Sequence, residues 1–262
     1  MNLNKHLLNV VVAAVVAAVT AAGMSYLVLS YTPVSIDQQR VERIMRDYLA
    51  KNPQILVEMT AELDKRQAIE QASQQSKAIS DNADAIFRSS VSHVAGNPHG
   101  DVSVVEFFDY NCPFCRHALR DVVKLINDDG KVRLVLKELP ILSDDSVTAA
   151  KLALASNKQG KYFEMHQKLL SEPGRAGKEK ALWIAKELGL DLDQLQKDAE
   201  DPDIQKALVE TKDLAHKLAG SPLSTPLFVI GDQVLYGVSD DFSDELKADV
   251  AVVRQKGCAA AC

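Results

Sequence analysis

An α/β fold with a helical insertion, preceded by an all-helical N-terminal arm, is the fold class that the sequence predicts. Three observations predict it. Residues 102–108 and 132–136 are short runs rich in Val, Leu and Phe, with one helical pattern between them, which makes a strand–helix–strand unit. Residues 146–219 carry apolar positions at helical spacing in several pieces. Residues 227–236 are two further strand-like runs around the Gly231-Asp232 turn, with a last helix at about 244–256.

The chain has 262 residues, 47% hydrophobic and 25% charged, with a net charge of −6, the composition of an ordered globular protein. No Lys/Arg block interleaved with aromatics is present, so nucleic acid is not an expected partner. The first 31 residues differ from the rest. After Lys5 and His6, residues 7–29 carry no charge and are interrupted only by Asn9, Thr20, Gly23 and Ser25. The segment reads either as a signal peptide, with small residues around Val19-Thr20-Ala21-Ala22, or as an uncleaved anchor. About 23 apolar residues at ~1.5 Å each span a ~30 Å hydrocarbon core. Either reading places the remainder in the periplasm or cell envelope, where disulfides persist.

Residues 32–70 read as a helical arm. Val41, Ile44, Met45, Tyr48 and Leu49 form one apolar stripe, Asn52-Pro53 interrupts it, and Leu56, Met59, Leu63 and Ile69 form a second. Helices this short bury an apolar stripe by packing on something else; another copy of the chain, as homodimer or homotrimer, is the expected cover. A helix folded back on the main domain is the alternative. Residues 71–95, polar and rich in Ala and Ser, are expected to be a helical linker.

The turn cluster Gly96-Asn97-Pro98-His99-Gly100 opens the main domain, expected at 96–256. Residues 102–108 are too apolar for a half-exposed strand and read as a central one. From Cys112 onward Ala118, Leu119, Val122, Val123, Leu125 and Ile126 line one side of a helix that Asp128-Asp129-Gly130 ends. The next strand then pairs parallel with the first through a right-handed crossover. The insertion, at about 144–219, is broken at Pro173-Gly174, Gly189 and Pro202. Residues 257–262 form a tail holding Cys258 and Cys262.

Two cysteines separated by two residues, at a strand-to-helix junction, suit disulfide exchange. The first, Cys112, sits among the free N–H groups of a helix start, which favour thiolate and make it the attacking sulfur. Cys115, one turn on, closes or resolves the disulfide. Pro113 fits the first helical turn, and Phe114 completes the pair's spacer. A closed zinc site would need two more ligands, and no second C-x-x-C or H-x-x-x-H is present, so neither metal nor cofactor is expected. Glu106, within an apolar strand, either relays the proton of Cys115 from a buried position or turns outward to solvent. Thr225-Pro226 is either an ordinary edge feature or, with a cis bond, an exposed backbone edge on which an extended peptide pairs. Cys258 and Cys262, four apart, form an incidental tail disulfide, pair between subunits, or act as a second redox pair.

The segments Glu106-Phe107-Phe108-Asp109-Tyr110-Asn111-Cys112-Pro113-Phe114-Cys115 and Ser224-Thr225-Pro226-Leu227-Phe228-Val229-Ile230 resemble the DsbA family of thioredoxin-fold proteins. The resemblance implies a thioredoxin fold with helical insertion, Cys112 as nucleophile, Cys115 as resolving residue, Glu106 as proton carrier, and Thr225 with Pro226 as substrate-holding loop. Residues 37–53 resemble the arm of the ScsC-like and related surface-antigen branch, whose members are oligomeric. The most oxidising members carry His where this chain has Phe114, which cannot donate to the Cys112 thiolate, so a less oxidising disulfide is expected. The expected function is a periplasmic thiol–disulfide oxidoreductase that forms or isomerises disulfides in reduced or misfolded exported proteins and is recharged by a membrane redox partner. The alternative is a soft-metal (copper) sequestering or structural envelope protein.

Overall fold

The computed structural model describes residues 3–31 and 37–257. Contacts divide the chain into two units, the first ending at Lys65 and the second beginning at Arg66.

In the first unit, α1 (Leu3–Tyr31) contains the window Val10–Leu27, which is long and apolar enough to cross a membrane. Helix α2 (Gln38–Lys51) has no buried residue, so Val41, Ile44, Met45 and Tyr48 are all exposed. Its end is set by Asn52, whose side-chain amide donates to the Tyr48 carbonyl (2.8 Å), one turn before Pro53 prevents continuation. Helix α3 (Gln54–Asp81) follows, with Leu56, Met59 and Leu63 exposed, and its later residues belong to the second unit. The two stripes expected from residue spacing are present and uncovered among the described residues.

The second unit is built on a five-stranded sheet in the order β1-β3-β2-β4-β5. After α4 (Ala83–Phe87), the strands are β1 (His93–Gly96), β2 (Val102–Phe108), β3 (Val132–Glu138), β4 (Leu227–Ile230) and β5 (Gln233–Tyr236). Between β2 and β3 lies α5 (Pro113–Asp128). After β3 come α6 (Asp144–Ser156), α7 (Tyr162–Ser171), α8 (Lys178–Glu187), α9 (Leu192–Ala199) and α10 (Pro202–Ala219), and α11 (Phe242–Lys256) closes the fold. Strands β2 and β3 are parallel, and the remaining pairs are antiparallel. Alternation along the central strands divides two cores. Val102, Val104 and Phe108 face a core shared with α5, α6, α7 and α11, while Val105 and Phe107 face α4, α10 and the end of α3. Both faces are covered, which is why β2 is apolar throughout rather than alternating.

The stretch 71–95 corrects one expectation. It is helical as far as Phe87, but it does more than link: Ile79, Ile86 and Phe87 are fully buried in the second core. Strand β1 pairs antiparallel with β3. The buried Lys137 and the half-buried Arg133 donate to the carbonyls of Ala85 and Phe87, satisfying the C-terminal end of α4. The domain therefore starts before the Gly96–Gly100 turn. A four-residue edge strand and a five-residue helix carry too little periodicity to be recognised from sequence. Gly96 sits at φ +69°, and a Cβ there would meet the Val132 carbonyl at 2.7 Å, so this turn requires glycine.

Candidate active site

Strand β2 delivers the chain to the site, and three side chains fasten the segment that follows. The Asp109 carboxylate accepts from the backbone N–H of Asn111 (2.7 Å), Ile141 (2.9 Å) and Leu142 (3.0 Å). The Tyr110 hydroxyl donates to Glu138 at 2.7 Å. Asn111 donates to Ser146 and to the Ala176 carbonyl, and accepts from the Ala176 N–H at 2.8 Å, tying the turn to the helical insertion. Cys112 then occupies the N-cap position of α5, with Pro113 in the first helical turn, where its missing N–H leaves nothing unsatisfied.

Both cysteines are free thiols; Cys112 is 4% exposed and Cys115 fully buried. The Thr225–Pro226 bond is cis, as is Ser221–Pro222. This loop places the Thr225 carbonyl 3.2 Å from the Cys112 sulfur, 113 residues away in sequence. Pro226 is buried, and its carbonyl accepts from the Gly237 N–H. Phe114 projects into solvent, 59% exposed, beside Cys112.

The electrostatics separate the two thiols. Hydrogen bonding from the Cys115 thiol, reinforced by the Thr225 side chain and the N–H groups of Cys115 and Phe114, pulls Cys112 down to about 6 against the opposing effect of burial. Burial, its hydrogen bond to Cys112 and the fields of Glu106 and Cys112 push Cys115 far above the ordinary thiol range. Glu106 faces the Cys115 side of the sheet and is 1% exposed. Burial, with a further contribution from Cys112, raises it to about 8, and its Oε1 has no hydrogen-bond partner among the described residues. The interior orientation is the one found, because β2 has no solvent-facing side.

Cys112, Cys115, Glu106, Thr225 and Pro226 thus come together from distant parts of the sequence. Cys258 and Cys262 lie outside the described residues. Asp109 and Asn111 received no role from sequence, although Asp and Asn flanking a residue just before a helix start are a turn signal. Nothing local marked Glu138, whose partners Tyr110 and Tyr162 are brought to it by the fold.

An acidic thiol at a helix start, a second, buried thiol one turn on, and a cis-proline loop against the first sulfur make up a site of the thioredoxin thiol–disulfide oxidoreductase type. The comparisons agree with that class. A family model described as "Thioredoxin" matches residues 88–248, more than half of the chain, and the chain belongs to this family. A second model, "Copper resistance protein ScsC N-terminal domain", matches residues 37–70. Among solved structures, a thioredoxin-like oxidoreductase from Silicibacter pomeroyi DSS-3 is 42% identical, with 67% of this chain and 99% of that one covered at a TM-score of 0.64. The thiol-disulfide exchange protein alpha-DsbA2 from Wolbachia pipientis is 31% identical, with 70% and 97% covered and a TM-score of 0.64. Proteus mirabilis ScsC in a transitional conformation is 26% identical, with 86% and 100% covered and a TM-score of 0.62. The chain is therefore a DsbA/ScsC-like thioredoxin-fold protein. It spans only 22% of the length of the curated Na(+)/H(+) antiporter relatives that it matches at 31–32% identity.

Proposed function

We propose that this protein carries out thiol–disulfide exchange on exported proteins in the periplasm or cell envelope, with capacity for isomerisation. The observation that carries the reading is the Cys112 sulfur, acidic and 3.2 Å from the Thr225 carbonyl beside a buried Cys115. In this reading the Cys112 thiolate attacks a substrate disulfide to form a mixed disulfide. Cys115 then displaces the substrate, giving its proton to Glu106 and forming the Cys112–Cys115 bond; the reverse sequence oxidises a substrate dithiol. Thr225 and Pro226 hold the substrate backbone as an added strand. Phe114 in place of a donor tempers the oxidising power. The apolar window Val10–Leu27 of α1 supports export or anchoring, after which a membrane redox partner resets the dithiol.

The arm of residues 32–70 assembles copies of the chain. The exposed stripes of α2 and α3 and the ScsC N-terminal match support this. The test removes residues 1–65, which keeps Ile79, Ile86 and Phe87 in the core; cutting at residue 90 would remove them. Expected are a monomer that still reduces insulin and a loss of scrambled-ribonuclease refolding. Unchanged refolding by the truncated chain refutes the link between arm and isomerisation, and no insulin reduction by the intact chain refutes the oxidoreductase reading. A reduction potential near about −180 mV fits the isomerase direction, and one near about −120 mV the oxidase.

The copper-resistance description of the matching arm model favours a second reading, in which the Cys112/Cys115 thiolates bind a soft cation. Titration with Cu(I) distinguishes it: tight binding lost in Cys112→Ser supports it, and equal binding by both proteins refutes it.

A further inference from the structure

Beside the dithiol, on the same face of the sheet, lies a second buried acid. Glu138, at the end of β3, is 3% exposed, and its Oε1 accepts from the hydroxyls of Tyr110 and Tyr162, both at 2.7 Å. Its Oε2 has no hydrogen-bond partner among the described residues. Tyr110 belongs to the turn before Cys112, and Tyr162 opens α7. The parallel register sets Glu106 beside Leu136 and Phe108 beside Glu138, so the two carboxylates rise from neighbouring strands on the Cys115 side. Tyr162 lies within the field of both.

One member of this cluster, Tyr162, also borders a cavity. A cavity of about 200 Å³ is lined by Tyr162 and His93 together with Val91, Leu154, Asn157 and Ile204. The His93 ring stacks on Tyr162 with centroids 4.6 Å apart, and its Nδ1 is 3.1 Å from Asn157 Oδ1. Because that oxygen only accepts, Nδ1 carries the proton and Nε2 remains an acceptor. The titratable groups around Glu138 and its outlet are Glu106 from β2, Asp109 and Tyr110 from the turn after it, Tyr162 and His166 from α7, with His93 behind Tyr162 and Lys158, Asp201 and Asp203 on the cavity wall. Burial raises Glu138 to about 8 and lowers His166 to about 3, so near neutral pH the acid holds and yields a proton while the buried imidazole stays neutral.

We propose that Glu138, gripped by Tyr110 and Tyr162 and reached from solvent through the His93 cavity, is the outlet for the proton that Glu106 exchanges with Cys115. The inference rests on the reading of Glu106 as that exchange partner. When Cys115 closes the disulfide, its sulfur bonds to Cys112, the bond to the leaving sulfur breaks, and the electron pair departs with that sulfur. The Cys115 proton goes to Glu106. Glu106, 1% exposed, resets by passing the proton on to Glu138 on the neighbouring strand, and from there it leaves past Tyr162 to the cavity. Glu138 and Tyr162 are positioning residues, acting through Glu106.

Dithiodipyridine separates the steps, since Cys112 attack releases one thiopyridone and closure by Cys115 releases the second, oxidising the dithiol and reducing the reagent. The measurement is stopped-flow absorbance on the whole chain with Cys258→Ser and Cys262→Ser, from about pH 5 to about pH 9. Glu138→Gln and Tyr162→Phe should each slow the second phase about tenfold near neutral pH and displace its pH profile, leaving the first phase within about twofold of the parent. Tyr162→Phe, which removes one oxygen, carries the test if Glu138→Gln does not fold. An unchanged second phase in the variants overturns the proposal. So does equal slowing of both phases, which marks a merely structural role. If Glu106→Gln closes normally, the reading of Glu106 falls and takes this inference with it. If Glu106→Gln is slow while Glu138→Gln and Tyr162→Phe are normal, only the outlet is refuted.

Discussion

Replacing Cys115 by Ala tests the cause of the reactivity of Cys112, because hydrogen bonding from Cys115 is the largest contribution holding its pKa at about 6 rather than 9.0. That interval corresponds to about 4 kcal/mol of preference for thiolate over thiol. At pH 7 a thiol at about 6 is roughly nine-tenths ionised, whereas one near 9 is roughly one-hundredth ionised. The difference stabilises the folded, reduced protein by about 1.4 kcal/mol at that pH. The sign follows from a depressed acid: the contribution is complete above the unfolded value and is lost as pH falls through about 6. In Cys115→Ala the donor is gone, while the helix start, the Thr225 side chain and the Phe114 N–H remain. The pH midpoint of Cys112 alkylation by iodoacetamide, followed by mass spectrometry, should therefore rise from about 6 to about 7 or higher without reaching the ordinary value. A midpoint unmoved by Cys115→Ala would refute the assignment of cause, and a wild-type midpoint near that of a free thiol would refute the description of the site.

Other expectations follow from the same geometry. Glu106 is raised to about 8 by burial, so its ionisation costs stability as pH climbs from 4.5 toward 8. Glu106→Gln removes that cost and should raise the melting temperature at pH 8 by the equivalent of about 1–3 kcal/mol, with little change at pH 4; an equal effect at both pH values would contradict a buried acid. Phe87→Ala should cost about 3–5 kcal/mol in urea unfolding, since Phe87 is 1% exposed in the second core; a loss under about 1 kcal/mol would show that the stretch before β1 is a linker after all. Asp109→Ala leaves the N–H groups of Asn111, Ile141 and Leu142 without their acceptor and should cost about 2–4 kcal/mol. Its Cys112 alkylation rate should also fall, and an unchanged rate would mean that the turn keeps its shape without the carboxylate.

The sequence by itself determined what depends on neighbours in the chain. The strand–helix–strand order and the terminal hairpin followed from the period of apolar residues, and the Cys112 cap from the position of Pro113 at a helix start, because these are local properties of a few residues. It also determined that α2 and the first part of α3 carry apolar stripes. Tertiary structure decided the rest. It put Glu106 inside, since only packing on both faces of β2 removes the solvent side that alternation alone allows. It drew Ile79 into the core from the end of α3, and Ile86 and Phe87 from a helix too short to announce itself. It brought Thr225 to Cys112 and gathered Tyr110, Tyr162 and Glu138 around one oxygen. Such groupings join residues tens of positions apart, and burial, which sets their acidity, is a property of the assembled fold rather than of any segment.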